Sequence, residues 1–550
     1  ATSVPEVANM TSAVSVTANT STWTGLNTLN IKSVGATIAT AAATTDVNEL
    51  TSIAASTITG GKDVTIAHTT AGAVTANTTA GALSVTTAVG AVVIGGNQDA
   101  SAATDALGTV TVDMTGTATA NTGLIDIDGG TTINVTASGA VSLADRTAHA
   151  AAKVVSAAAE ATAVTADGVS DTLVAALAAM AAALAADTTI AGNNGETLTA
   201  LKAGYITQAE KVAIDAAFAT GIATSAAAAQ AATLAVYTPI ITAAAATKVT
   251  TAAAETAAIA TDAAQDVIAA ADVLVANAVD DIDVDASENT ALTSVSITGN
   301  KGATNTVTDA STLANTLTTA TLNAAGATTV TGSAIATVNV SNQESTVTVV
   351  NATAANTLAL NLDTVTATVD VSTGGGTSTT LNLAATGTNV ITLTAAATTA
   401  LNITGAGDLT SATAIAQAAA VINASAATGN ITTTTLQGQT YTGGSGVDTI
   451  TSSNGAAQTK AIDGGAGTAD KLILGNNTDF GTVAAKAFFT GFETIQANTG
   501  VSVVASALTG NTFTSAVVSG VASITGLTAT AAANVTDIAT GNKTISITGA

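Results

Sequence analysis

The chain has 550 residues, of which 47% are hydrophobic, 9% charged and 2% aromatic, and it contains no cysteine. Its 37 acidic residues outnumber its 12 lysines and arginines, giving a net charge of −25. This balance excludes a nucleic-acid-binding surface and makes divalent cations the expected partners. The absence of cysteine excludes disulfides and thiolate zinc sites. Since alanine, threonine, valine and glycine dominate, we predict thin β layers and small-residue helices rather than a thick core.

Hydropathy and the first residues bear on the cellular compartment. The richest apolar stretch, Leu173–Ala186, consists mostly of alanine and is shorter than the roughly 18 apolar residues of a membrane helix. We therefore expect no membrane span. The first residues show no signal-peptide pattern, which leaves two routes of export open: removal of a leader, or a different export signal.

Residues 1–141 are predicted to be an N-terminal, solenoid-like β region. Short triplets place two apolar side chains on one face with a polar residue between them, a pattern typical of strands. Such triplets are Leu29-Asn30-Ile31, Val64-Thr65-Ile66, Leu83-Ser84-Val85, Val110-Thr111-Val112 and Ile133-Asn134-Val135. Asp126 and Asp128 precede two glycines. They either hold calcium or only cap a turn.

Residues 142–287 are predicted to be an alanine-rich helical region, because the hydrophobic period changes from two to about 3.6 and glycine becomes scarce. Ser170 or Asp171 can cap a helix. Residues 207–210, Thr-Gln-Ala-Glu, form a capping box for another. Pro239 is expected to end or kink that helix.

An acidic run closes this region over residues 280–288. Strand alternation would place Asp281, Asp283 and Asp285 on one side, where they would form a cation site. The alternative is a solvated linker.

Residues 288–440 are predicted to be a parallel β-solenoid. Triplets such as Leu360-Asn361-Leu362, Leu381-Asn382-Leu383 and Leu401-Asn402-Ile403 recur about every 20 residues. Identical residues at a fixed step favour stacked coils, in which asparagine and threonine form ladders. The fold class is therefore mainly β, a parallel β-solenoid or β-roll with an α-helical insert. Tandem β-sandwich domains are the alternative, since they also have closely spaced short strands.

Residues 441–550 contain two glycine-rich turns with calcium-binding features. The nine residues from Gly443 to Thr451, Gly-Gly-Ser-Gly-Val-Asp-Thr-Ile-Thr, match the nonapeptide of calcium-binding β-rolls, and a looser copy runs from Gly464 to Asp470. Glycine permits backbone angles that turn carbonyl oxygens inward, and aspartate adds an anionic oxygen. The turns lie about one coil apart, so they could stack and share a calcium ion. The predicted ligand-forming residues are Gly443, Gly444, Gly446, Asp448, Asp463, Gly465, Gly467 and Asp470. The alternative is that both are ordinary glycine-rich turns.

Asp479-Phe480 and then Gly491-Phe492-Glu493-Thr494 follow these turns. In this order, the motifs over Gly443–Gln496 resemble the C-terminal region of bacterial surface-layer proteins of the repeats-in-toxin type, although those relatives usually carry more nonapeptide copies. The resemblance implies calcium binding, type I secretion through an uncleaved signal near residues 537–550, and an extracellular location on the cell surface. It also implies a self-assembled lattice attached to lipopolysaccharide or another cell-surface glycan.

The sequence offers no combination of residues typical of catalysis. His68 and His149 are far apart, with no nearby carboxylate cluster, and the aromatic residues are too scattered for a sugar platform. We therefore predict a non-enzymatic protein that self-assembles into a surface layer, with calcium driving folding and assembly. The alternatives are an adhesin or biofilm-matrix filament protein, and a β-helical enzyme acting on polysaccharides.

Overall fold

The computed structural model describes residues 6–547 apart from short gaps. The gaps are 53, 69–71, 88–89, 97–103, 115–122, 138–142, 187–196, 198–199, 202, 224, 277–280, 287–290, 301–303, 310–314, 352–355, 372–377, 397, 416–419 and 539–543. Two units are present: residues 145–272, and a solenoid built from the chain on both sides of them. Part of the segment in which the resemblance places an export signal, residues 539–543 and 548–550, lies outside the described residues.

The solenoid has two main sheets in which each strand pairs in parallel with the corresponding strand of the next coil. The first, which we call face A, is a 17-stranded sheet. Its strands are Val7–Ser12, Thr28–Ser33, Asp46–Ser52, Val64–His68, Leu83–Thr87, Thr109–Met114, Thr132–Ala137, Ser294–Thr298, Thr319–Asn323, Thr337–Ser341, Asn356–Asp363, Ser378–Thr386, Ala400–Gly405, Val421–Ala427, Thr440–Thr442, Ile462–Asp463 and Phe489–Thr490.

The second sheet, face B, alternates with face A along the chain. Its strands are Val16–Asn19, Thr37–Ala41, Ser56–Gly60, Val74–Asn77, Val92–Ile94, Ile125–Asp128, Ile282–Asp285, Thr304–Asp309, Ala327–Gly332, Val347–Asn351, Thr368–Asp370, Thr388–Thr394, Asp408–Ala414, Ile431–Thr435, Thr449–Ser452, Lys471–Leu474, Thr494–Ala497, Ser515–Val518 and Val535–Asp537. A short third sheet near the C-terminal end contains Ser502–Val504, Ser523–Leu527 and Thr544–Ile547.

This architecture confirms the predicted parallel β-solenoid with a helical insert. Tandem β-sandwiches are wrong, because the strands of a sandwich pair antiparallel whereas these pair in parallel. The interior follows from the sequence alternation, with apolar residues inward and Thr, Ser or Asn outward, as in Ser294–Thr298. Outward asparagines form ladders across coils, for example from Asn30 to Asn9 at 2.8 Å and from Asn402 to Asn382 at 2.8 Å.

The solenoid continues across the helical insert. Strand Ile125–Asp128, before the insert, pairs directly with Ile282–Asp285, after it. Thr132–Ala137 likewise pairs with Ser294–Thr298. Residues 282–285, which the sequence placed at the end of the helical region, are therefore a strand of the solenoid.

The helical unit contains α1 (Leu143–Ala186), α2 (Gln208–Ile222) and α3 (Ala226–Ala276). The predicted capping box is present, since Thr207 and Glu210 cap each other's backbone at the start of α2. Two other predictions are wrong. Ser170 and Asp171 lie inside α1 and cap nothing, because alanine-rich sequence on both sides continues the helix. Helix α2 ends at Ile222, and Pro239 lies within α3.

Two segments of these helices, Ala151–Ala183 and Ala226–Gln265, are long and apolar enough to cross a membrane by length and composition, with a mean hydropathy of 1.3. Their apolar character comes largely from alanine. The expectation of no membrane span therefore stays a prediction.

Two further short helices belong to the solenoid unit, α4 (Val483–Ala487) and α5 (Ala529–Ala533), together with 3₁₀ turns at Asn477–Phe480 and Ala505–Ala507. The C-terminal coils have the most aromatic interior: Tyr441, Phe489 and Phe492 are completely buried there. The site described next lies against this part of the core.

Candidate functional site

The two glycine-rich turns of residues 443–448 and 464–470 lie in adjacent coils and stack directly. Each connects a strand of face A to a strand of face B. The backbone N–H of Gly443 donates to the carbonyl of Asp463 at 2.9 Å, and that of Ala466 donates to the carbonyl of Gly444 at 2.7 Å. The N–H of Lys471 donates to the carbonyl of Asp448 at 2.7 Å. The stacking inferred from the spacing is therefore present.

A third layer, residues 490–493, lies on the second turn. The N–H of Gly464 donates to the carbonyl of Thr490 at 2.9 Å, and the N–H of Glu493 donates to the carbonyl of Asp470 at 3.0 Å. The Glu493 carboxylate in turn accepts the Asp470 N–H at 3.0 Å. No role in the ion site was predicted for this segment, because it contains neither a second glycine nor an aspartate.

The glycines serve mainly to bring backbones close together. Of the predicted glycines, only Gly465 has a positive φ, +104°, and a Cβ there would lie 2.5 Å from the carbonyl carbon of Gly443. Gly443, Gly444, Gly446 and Gly467 have ordinary φ values, but a Cβ on each would overlap with a backbone oxygen of a neighbouring coil. The expectation that they adopt angles closed to other residues is wrong for these four.

Asp448 is fully buried, and its carboxylate is well satisfied by hydrogen bonds. It accepts the N–H of Ile431 at 3.0 Å, the N–H of Gly444 at 3.1 Å and the hydroxyl of Tyr441 at 3.1 Å. Burial raises the pKa of Asp448, and these three donors act in the opposite direction. Burial also raises the pKa of Tyr441 well above its usual value, so its hydroxyl remains a donor.

Asp470 is equally buried but is poorly satisfied. Its Oδ1 accepts the N–H of Asp448 at 2.7 Å, whereas its Oδ2 has no hydrogen-bond partner. Burial, together with the negative charges of Asp448, Glu493 and Asp463, raises the pKa of Asp470 to about 6. This position therefore favours a proton or a cation, because an isolated buried carboxylate is costly.

The oxygen atoms of these turns are of the kind that a hard cation such as calcium binds, but they do not form a complete coordination site. Among the residues that the structure describes, no three His, Asp or Glu side chains lie close enough to hold one metal ion. The oxygens of Asp448 are occupied by donors, and Oδ1 of Asp463 accepts the N–H of Gly465 at 3.3 Å. Asp470 Oδ2, in contrast, is buried without a hydrogen-bond partner and so is available to calcium. The remaining ligands would be main-chain carbonyls of the turns, which calcium accepts.

The second predicted cation site lies on face B. Asp283 and Asp285 alternate with the buried Ile282 and Val284, as expected for a strand, so this segment is not a linker. Asp281 accepts the N–H of Thr304 at 2.8 Å, and Asp283 accepts the hydroxyl of Thr306 at 2.7 Å. One carboxylate oxygen of each of these two residues therefore accepts a hydrogen bond from the next coil.

The register also brings together two acidic pairs that the sequence treated separately. Asp126 stands beside Asp283, and Asp128 beside Asp285. The helical insert separates these pairs by more than 150 positions in the sequence. Sequence spacing gave no signal of this contact, because the coil is interrupted between them.

The sequence also missed two buried polar groups. Asp479 accepts hydrogen bonds from the Ser452 hydroxyl at 2.8 Å and from the N–H groups of Asn454 and Gly455 at 2.9 and 2.8 Å. These bonds hold the turn that follows strand Thr449–Ser452. The sequence signal that could have indicated this role is an aspartate with no basic neighbour, directly before Phe480.

The second buried polar group that the sequence missed consists of Glu49, Ser56 and His68. The Ser56 hydroxyl donates to Glu49 at 2.6 Å and lies 2.8 Å from Nε2 of His68. One carboxylate lies near His68, since Glu49 Oε2 is 3.9 Å from Nε2. A single carboxylate is not the cluster whose absence the sequence predicted. All three side chains are buried, which keeps substrates from reaching them. The side chain of His149 lies outside the described residues.

Comparison with protein-family models gives no match, and no curated protein matches the chain. The class of the protein therefore rests on its fold, a parallel β-solenoid with an inserted helical unit.

Proposed function

We propose that this chain is a structural, non-enzymatic extracellular protein that self-assembles into a bacterial surface layer, with calcium driving folding and assembly. The observation that carries the proposal is the fully buried Asp470 carboxylate, whose Oδ2 has no hydrogen-bond partner and which stands among three other acidic side chains. Such a position destabilises the fold at neutral pH unless positive charge is supplied.

Calcium would supply that charge when bound. The chain's own part is to hold the stacked turns together through the hydrogen bonds from Gly443, Ala466 and Lys471. Because the unfolded chain has no such site, the free energy of ion binding becomes free energy of folding. Where calcium is scarce, as in the cytosol, the acidic turns would repel one another and keep the chain loose for secretion through a type I system.

Two further features support assembly outside the cell. Parallel stacking gives repeated coils whose outward asparagine and threonine rows offer identical groups at a regular step. The absence of cysteine suits an exported protein that does not depend on redox state. We propose that copies of the chain associate with one another and that a cell-surface glycan, such as lipopolysaccharide, anchors them.

The test uses the purified full chain, first treated with excess EGTA and then returned to millimolar calcium or, separately, magnesium. Circular dichroism reports folding, and negative-stain electron microscopy reports assembly. We expect chelation to lower β content and abolish ordered arrays, and calcium alone to restore both. Asp470→Asn should lose the response to calcium, whereas the exposed control Asp363→Asn should keep it. If folding and arrays survive EGTA unchanged, the proposal fails; sparse single fibres in place of arrays would favour an adhesin.

A further inference from the structure

The last coils of the solenoid form an open cavity of about 360 Å³ that no part of the proposed calcium chemistry uses. Its floor is apolar and buried, formed by Leu508, Phe513 and Leu527. Its rim carries the hydroxyls of the exposed residues Ser506, Thr509 and Thr512. The cavity therefore joins an apolar base to a ring of hydrogen-bonding groups.

The wall of this cavity is fixed before any ligand binds. The Asn511 side chain donates to the carbonyls of Phe489 at 2.8 Å and Leu508 at 3.0 Å, and it accepts the N–H of Phe492 at 3.0 Å. Thr528 accepts the N–H of Ala531 at 3.2 Å and so caps the helix Ala529–Ala533. Because these polar groups hold the backbone in place, little ordering is needed on binding.

The chemistry of the lining selects the class of ligand. The described residues that line the cavity include no acidic or basic side chain. An anionic ligand would lose its hydration without gaining a countercharge, and a cation would find no carboxylate. A purely aliphatic ligand would leave the rim hydroxyls facing apolar groups. The volume lies at the small end of the range of about 300–1,000 Å³ that is typical of ligand pockets.

We propose that this cavity binds a neutral sugar ring. The C–H face of the ring would lie on Leu508 and Phe513, and its hydroxyls would exchange hydrogen bonds with Ser506, Thr509 and Thr512. The biological meaning rests on the proposed function: the site would recognise an uncharged hexose unit of the cell-surface glycan that anchors the protein.

The test measures binding to the full chain in calcium by saturation-transfer NMR. The probes are the methyl glycosides of glucose, galactose and mannose, and N-acetylglucosamine, with glucuronate as the charged comparison and octanol as the apolar one. We expect at least one neutral sugar to bind. Thr512→Trp, which fills the mouth of the cavity from its exposed rim, should weaken that binding at least tenfold. Thr530→Trp, on an exposed residue of the adjoining helix outside the lining, should leave it unchanged.

Ser506→Trp, at another exposed residue of the rim, provides a second blocking variant if Thr512→Trp does not fold. The proposal is overturned if none of the four neutral sugars binds, if both folded blocking variants bind as wild type does, or if only glucuronate or octanol binds. Array formation by purified protein without glycan separates the two proposals. Intact arrays with no sugar binding would reject this site alone, and sugar binding without arrays would reject the surface-layer function alone.

Discussion

Asp470→Asn is expected to stabilise the calcium-free protein at neutral pH, although it removes a predicted metal ligand. Asparagine keeps the oxygen that accepts the Asp448 N–H, and its amide group replaces the unpartnered, negatively charged Oδ2 with an uncharged donor. This removes the repulsion by the charges of Asp448, Glu493 and Asp463. The pKa of Asp470 rises from 3.8 to about 6 on folding. At roughly 1.4 kcal/mol for each pH unit, ionisation of Asp470 costs the folded state up to about 3 kcal/mol.

The sign of the pH dependence follows from this shift. An acid whose pKa is raised in the folded state contributes stability that is complete below the unfolded pKa of 3.8 and is lost as the pH rises through about 6. In EGTA, the Asn variant should therefore exceed wild type by up to about 3 kcal/mol at pH 7.5 and match it near pH 4. Saturating calcium at pH 7.5 should stabilise wild type but not the variant.

Urea unfolding followed by circular dichroism, at both pH values and with calcium or EGTA, measures these differences. Asp448→Asn is the matched comparison, because its carboxylate already has three donors. One of those donors would face an amide group, so this variant should lose about 1–3 kcal/mol in EGTA at pH 7.5. If Asp470→Asn is destabilised in EGTA at pH 7.5 as much as Asp448→Asn, the unpartnered oxygen is not the source of the calcium requirement.

Three other predictions concern the fold. Gly465→Ala should lower the free energy of unfolding by about 3 kcal/mol or more, because this position combines a positive φ with a backbone clash. Gly500→Ala has a positive φ but open space around it, so it should lower the free energy of unfolding by only about 1–2 kcal/mol in the same urea assay. Burial lowers the pKa of His68, so wild type should lose stability as the pH falls below the unfolded value of 6.5. His68→Gln should remove that part of the loss, and equal pH profiles for the two proteins would contradict it. Replacing residues 145–272 by a short Gly-Ser linker should leave a folded solenoid, because the strands on either side pair with each other. Loss of its β signal in circular dichroism would show that the solenoid needs the insert.

The sequence predicted the fold well where one local rule decides it. Alternation places Leu and Val inside and Asn and Thr outside, and a repeat of about 20 residues makes consecutive coils stack in parallel. Both rules act within one or two coils, so they can be read without knowing the rest of the chain. The capping box at the start of α2 is local in the same sense.

Register was less predictable. Leu360 pairs with Leu383 and Leu358 with Leu381, so the Leu-Asn-Leu triplets of residues 360–362 and 381–383 are offset by two residues. A slip of two keeps every side chain on its own face, so the alternation that identifies a strand cannot fix its register. The contact of Asp126 with Asp283 was hidden for a different reason, since it depends on where the chain returns after the insert.

The hydrogen bonding of the buried aspartates indicates which part of the chain would require calcium. Asp448 and Asp479 each accept three hydrogen bonds, so their negative charges are stabilised by fixed dipoles of the protein itself. Asp470 has one donor for two oxygens, and its neighbours are acidic. The net charge of −25 is spread along the chain, where monovalent salt can screen it, but salt screens buried charges much less. A requirement for calcium would therefore arise from this one turn rather than from the overall charge, and sodium chloride at equal ionic strength could not replace calcium.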